Sequence, residues 1–246
     1  MPKTSKSTHG FTLIELSIVL IIIGLILGSI VVGRSVVANF KIRSVVQDIS
    51  KFNTAVESFK SIYGALPGDY STATTQFGAT DSHGNVILNG NGDGAIGNAT
   101  LTSAENLAAW QHLALAQLIT TGSYTAATSA ATATGLQATV NVPSSGYATQ
   151  AVYAFYYGNL AGNFNTGNSI MLINMDTLKS TIRASDASDI DTKIDDGTPY
   201  NRRVVGYGDS NGNCVTTLPP PYTLPYLTLT TTLCVMVFGV GGFILN

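Results

Sequence analysis

The chain has 246 residues, enough for one moderate globular domain with an appended segment. Charged residues make up 11% and the formal net charge is −2, so the charge balance does not call for a nucleic-acid partner. No Lys or Arg occurs between Lys60 and Lys179, a stretch rich in Gly, Ser, Thr, Asn and Ala, and a surface polar through hydroxyls and amides fits an extracellular face.

Residues 1–10 (MPKTSKSTHG) are polar and carry Lys3 and Lys6 without an acid. Residues 11–33 (FTLIELSIVLIIIGLILGSIVVG) hold a single charge, Glu15, in 23 positions. At ~1.5 Å per helical residue this run reaches about 35 Å, enough for a bilayer core of roughly 30 Å. The two lysines favour a cytoplasmic N-terminus, although Arg34, Lys41 and Arg43 on the far side weaken that signal. A secretory signal peptide would have a shorter apolar run and a small-x-small cleavage site. A carboxylate in an apolar span is costly unless paired or protonated, which makes Glu15 a functional candidate with a partner to be named. Cutting between Gly10 and Phe11 would create an α-amino group four residues before Glu15, and the amine of one subunit could then neutralise the carboxylate of another.

The string G-F-T-L-I-E followed by an apolar run resembles the class III signal of type IV pilins and type II secretion pseudopilins, closely over about the first 35 residues. The resemblance implies a prepilin peptidase cutting after Gly10, N-methylation of Phe11 and an assembly role for Glu15. Its implied partners are copies of itself or related pilins in a filament, and an inner-membrane assembly platform. The implied location is the bacterial inner membrane with a periplasmic domain, followed by a pilus, a pseudopilus or the cell surface. The implied fold is α+β and pilin-like, a long N-terminal helix packed on a C-terminal antiparallel sheet domain. The segments are then a leader over 1–10, a transmembrane or filament-core helix over 11–33, the amphipathic half of the same helix over 34–63, and a globular domain over 64–246.

Beyond Arg34, Val36, Val37, Phe40, Val45, Ile49, Phe52, Val56, Phe59 and Tyr63 recur mostly at three- and four-residue steps, so the helix should run on to about Ile62 and stop at Gly64 and Pro67. Gly24, Gly28 and Gly33 weaken its inner part but allow close helix–helix approach. L-P-G-D-Y (66–70) is a turn, and NVILNGNGDGAIGN (85–98) a loop. Thr102-x-x-Glu105 reads as a capping box before a helix over 106–119. Residues 120–150 read as a long surface loop with at most one strand. Strands are expected over 151–159, 169–175 and 202–209, and a short helix over 185–197 with Ser185 as its cap. The apolar run 234–245 is too short for a spanning helix and reads as a terminal strand. Cys214 and Cys234 in an exported chain point to one disulfide, two buried free thiols being the alternative. In pilins a C-terminal disulfide loop of this kind staples the last strands to the sheet.

No nucleophile–base set is legible around His9, His83 or His112, and no enzyme activity is expected. Asn89-x-Asn91-x-Asp93-Gly94 resembles the opening of a calcium loop but has Thr100 where the bidentate Glu belongs. Asp191, Asp195 and Asp196 form a second candidate: the first two are i,i+4 neighbours whose repulsion a cation such as calcium would turn into binding. No cofactor is required by the sequence; calcium is the candidate, because major pseudopilins bind calcium through a C-terminal loop and the resemblance implies the same here without fixing the ligands. The expected function is a structural subunit of a type IV pilus-like filament, whether pilin, minor pilin or pseudopilin. The alternative is a membrane-anchored periplasmic binding module using a pilin-type leader.

Overall fold

The computed structural model describes residues 10–98, 100–120, 122–128, 132–160, 164–199, 203–208, 214, 226 and 233–240. The leader before Gly10, with His9, and the end of the apolar C-terminal run, 241–245, lie outside the described residues. Two compact units are present, residues 1–41 and 42–246, and helix α1 (Leu13–Tyr63) contributes to both.

In the first unit the large apolar helical side chains that are described are exposed, Leu13 at 90% and Leu25 at 68%. Among the described residues α1 is the helix long and apolar enough to cross a membrane. In the second unit the same helix becomes amphipathic. Ile42, Val45, Ile49, Phe52, Val56 and Phe59 are buried, spaced at three and four residues along one face. Val36, Val37 and Phe40 extend that periodicity in the sequence but are exposed, so the buried stripe begins at Ile42 and not at Val36. Gly64, at φ +71°, ends the helix with its N–H on Lys60 O.

A short helix, α2 (Ala73–Phe77), precedes α3 (Ala104–Leu115). The cap of α3 differs from the expected one: Ser103, not Thr102, accepts from the Asn106 N–H. Glu105 instead accepts from the Asn91 N–H at 2.9 Å. The neighbouring hydroxyl wins because Ser103 has the extended backbone an N-cap needs.

The sheet is antiparallel. β1 (Ala151–Leu160) pairs with β2 (Phe164–Asn174), and β2 with β5 (Leu233–Gly239) from Ser169↔Gly239 to Leu172↔Met236. On its other edge β5 pairs with β3 (Ile182–Arg183) and with β4 (Val204–Tyr207). The C-terminal apolar run thus supplies a central strand, and burial of every residue from Cys234 to Gly239 explains why it lacks polar alternation. Between β3 and β4 lies α4 (Ala184–Ile194), which starts before Ser185 and has no side-chain cap.

The described residues of 120–150 are irregular, as expected, but several of them are buried and do not belong to a surface loop. Tyr124, Leu136, Val142 and Tyr147 are buried and enter the common core of the α1 stripe, α3 and the sheet. Sparse anchors at irregular intervals leave no period to read.

Cys214 and Cys234 form a disulfide. It spans 20 positions and ends on the central strand, so the chain-entropy model gives it about 3 kcal/mol of stability. Replacing both cysteines by alanine should remove about that much in urea denaturation of the full chain in detergent. A double variant as stable as the oxidised protein would refute the stapling role.

Candidate functional site

The N-terminal segment is built around a helix start. Thr12 N–H and Thr12 Oγ1–H both donate to Glu15 Oε2, at 2.8 and 2.7 Å, and the Glu15 N–H lies 3.3 Å from Thr12 Oγ1. Thr12-x-x-Glu15 is therefore a capping box, which sequence reasoning missed while assigning one to Thr102 and Glu105. It had been legible as T-L-I-E immediately before the apolar run. The carboxylate sits where the first-turn N–H groups lack intrahelical partners, so Glu15 has a local use within one chain. Other polar side chains in the segment bond their own helix: Ser17 Oγ donates to Ile14 O and Ser29 Oγ to Leu25 O. Glu15 is left as the ionisable side chain of residues 11–33. Gly10 and Phe11 just before it are exposed, Phe11 at 86%. A Cβ added at Gly24, Gly28 or Gly33 would meet nothing within 4 Å, so packing within the described chain does not require these glycines.

Residues 5–31 match the prokaryotic N-terminal methylation motif. The matched stretch contains Gly10, Phe11 and Glu15 together, and it fits a class III signal of the type IV pilin and pseudopilin kind. The methylation motif implies processing by a prepilin peptidase and pilin-type assembly in general, and with the apolar helix it fits membrane anchoring. No curated protein matches the chain, and no solved structure does.

A second constellation lies at the carboxyl end of α4. One carboxylate oxygen from each of Asp191, Asp195 and Asp196 falls within 4.8 Å of the other two. Asp191 is 0% exposed, and its Oδ2 accepts from the Tyr226 hydroxyl at 2.9 Å. Burial pushes the Asp191 carboxyl up to about 7, opposed by hydrogen bonds from the Tyr226 hydroxyl and the Gly197 N–H and helped by the charges of Asp196 and Asp195. Asp195 Oδ2 accepts from the Arg203 N–H at 2.6 Å, and Asp196 Oδ1 from the Thr198 N–H at 2.8 Å. Tyr226, which no sequence signal marked, reaches Asp191 by lying over β4. A Cβ on Gly206 would be 2.4 Å from its ring, so the strand needs glycine there.

The other candidate cation loop is accounted for by its own hydrogen bonds. Asn89 Oδ1 accepts from the Thr74 N–H, Asn91 Oδ1 from the Asp93 N–H, and Asp93 Oδ1 from the Ala95 N–H. Asp69, from the L-P-G-D-Y turn, is buried and accepts from the Asp93 and Gly94 N–H groups, each at 2.9 Å. These acids and amides fix a turn. His112 is a buried structural residue: its Nδ1 accepts from the Gly68 N–H, so Nε2–H donates to Leu88 O. Burial holds this imidazole below its ordinary range. His83 is exposed and lies beside the Ser82 hydroxyl.

Proposed function

We propose that the chain is a structural subunit of a type IV pilus-like filament, in the class of pilins, minor pilins and type II secretion pseudopilins. It is made as an inner-membrane precursor, cut after Gly10, methylated on Phe11 and inserted into the filament through residues 11–33. The domain beginning at Ile42 resides in the periplasm and then on the filament surface. The observation that carries this reading is the matched methylation motif, with Gly10, Phe11 and a lone Glu15 at the head of an exposed apolar helix.

Two further features support it. The Cys214–Cys234 disulfide fits an oxidising compartment. Glycines that nothing in the described chain packs against would let the helices of neighbouring subunits approach closely.

Processing is the direct test. Mass spectrometry of the mature protein should find Phe11 as the first residue, carrying a methyl group, in a chain of 236 residues. A bulky residue in place of Gly10 should block the cut and leave the precursor in the inner membrane. Assembled material that still begins at Met1 would reject the proposal.

A further inference from the structure

We propose that the cavity between the loop at 81–83, the end of α3 and the segment at 122–124 binds one pyranose ring of a neutral saccharide. The proposal concerns the domain alone and stands whether or not the chain enters a filament.

The cavity has a volume of about 140 Å³ and opens to solvent. That is comparable with a ~150 Å³ cavity known to hold one six-membered ring, and the opening leaves the rest of a longer saccharide in water. Its walls come from segments far apart in sequence, and Asp81 ties them together. Asp81 Oδ1 accepts from the His83 and Asn85 N–H groups at 2.8 and 2.9 Å, and Oδ2 from Asn85 Nδ2 and the Ser123 hydroxyl at 2.8 and 3.0 Å. Burial works against the charge, but the hydrogen bonds from Asn85, His83 and Ser123 outweigh it and hold the Asp81 carboxyl below its ordinary range. The carboxylate is thus satisfied within the chain and does not call for a cation. No Lys or Arg stands among the described residues that line the cavity, so nothing there attracts an anion.

The independent indication of a ligand is Gln111 of α3, which also lines the cavity. Its side chain is 1% exposed, and Nε2–H donates to Val86 O at 3.1 Å, while Oε1 is buried without a hydrogen-bond partner among the described residues. Rotating the amide would set Oε1 against the Val86 carbonyl, so the orientation is fixed by its neighbour. A buried acceptor without a donor is costly, and a hydroxyl entering the cavity supplies the donor.

The rest of the lining has the same mixed chemistry. Ser82 Oγ and His83 Nδ1 lie 3.2 Å apart on exposed residues, and each side chain can donate or accept. Tyr124, Ala114 and Leu115 supply apolar wall. Gly122, at φ +89°, passes the Tyr124 ring without a side chain; a Cβ there would lie 3.4 Å from it. A pyranose offers hydroxyls at its edge and C–H groups on its faces, which matches neutral hydrogen-bonding groups set beside an apolar wall.

The test uses the full chain in a zwitterionic detergent, since maltoside detergents carry sugar of their own. Saturation-transfer NMR with the methyl glycosides of glucose, galactose and mannose should show transfer to at least one of them, with a dissociation constant in the millimolar range. Ala114→Met, at a half-buried position of α3 where methionine suits the helix, fills the cavity and should weaken that binding at least tenfold. Gln111→Met should weaken it similarly while melting at least as high as the parent, because an unsatisfied acceptor is gone. If Gln111→Met does not fold, Ala114→Met decides alone. Absence of transfer to all three glycosides would overturn the site, and so would transfer that survives unchanged in Ala114→Met. Equal transfer to hexylammonium or acetate would overturn the assignment to a neutral saccharide.

Discussion

Trp110→Ala should be among the most destabilising single substitutions in the domain, lowering the unfolding free energy by about 3–5 kcal/mol. Trp110 is fully buried in α3 and meets rings from two sides. Phe52 of α1 stands edge-on at 4.9 Å, and Phe155 of β1 lies tilted at 4.3 Å. Truncation removes the part of α3 that joins the helical stripe to the sheet. Against a typical domain stability of about 5–15 kcal/mol, that leaves little margin. Trp110→Phe separates packing from hydrogen bonding. The indole Nε1–H is buried without a hydrogen-bond partner among the described residues, so phenylalanine loses volume but also removes an unsatisfied donor. It should cost less than about half of the alanine change. Urea denaturation of both variants is the measurement. Equal losses would mean that the indole N–H has a partner, and a loss below about 1 kcal/mol for alanine would mean that the site collapses around the gap.

The parts of this fold that were legible in the sequence are those with a period or a fixed chemical pairing. The α1 stripe from Ile42 to Phe59 repeats at three and four residues, and the disulfide had a single possible pairing. The run from Cys234 could be read as a strand because it is too short to span a bilayer. What escaped was polar stitching between segments far apart in sequence. Asp69 caps N–H groups 24 and 25 positions away, and Tyr226 reaches Asp191 across 35. Neither leaves a local signal, since a turn Asp and a loop Tyr look the same with or without such partners. Gly68 and Gly90 are similar cases. A Cβ on Gly68 would be 2.4 Å from Glu105 O, and one on Gly90 would be 2.3 Å from Gly68 O, so the two loops meet backbone to backbone. At the N-terminus the sequence marked Glu15 as anomalous but missed its local hydrogen bonds with Thr12.

Those bonds sharpen what substitution at Glu15 should do. Glu15→Leu is expected to leave membrane insertion and domain stability intact and to abolish incorporation into filaments. Before assembly the carboxylate lies near the head of the helix and accepts from Thr12 N–H and Oγ1–H, so it is satisfied without another subunit. In a filament it would be surrounded by apolar side chains such as Leu13, Ile14 and Leu16 of neighbouring copies, all exposed in the single chain. Thr12 can share its hydrogens with the carboxylate there but cannot cancel its charge. The α-amino group of Phe11 on an adjacent subunit can, and only one axial offset between two helices brings amine and carboxylate together. The pair would therefore select the register of helices that otherwise present nearly uniform apolar faces. Two mechanisms now make different predictions. If capping were the whole role, Glu15→Gln should assemble normally, because glutamine also completes a capping box. If the charge pair sets the register, Glu15→Gln should fail nearly as completely as Glu15→Leu, and Glu15→Asp should be intermediate because its shorter side chain strains the pair. The measurement separates membrane-held monomer from sheared, detergent-resistant assemblies in cells lacking an unmodified copy. Normal incorporation of Glu15→Leu would reject any assembly role for the carboxylate and favour a membrane-anchored binding module. Normal incorporation of Glu15→Gln alone would reduce the role to helix capping.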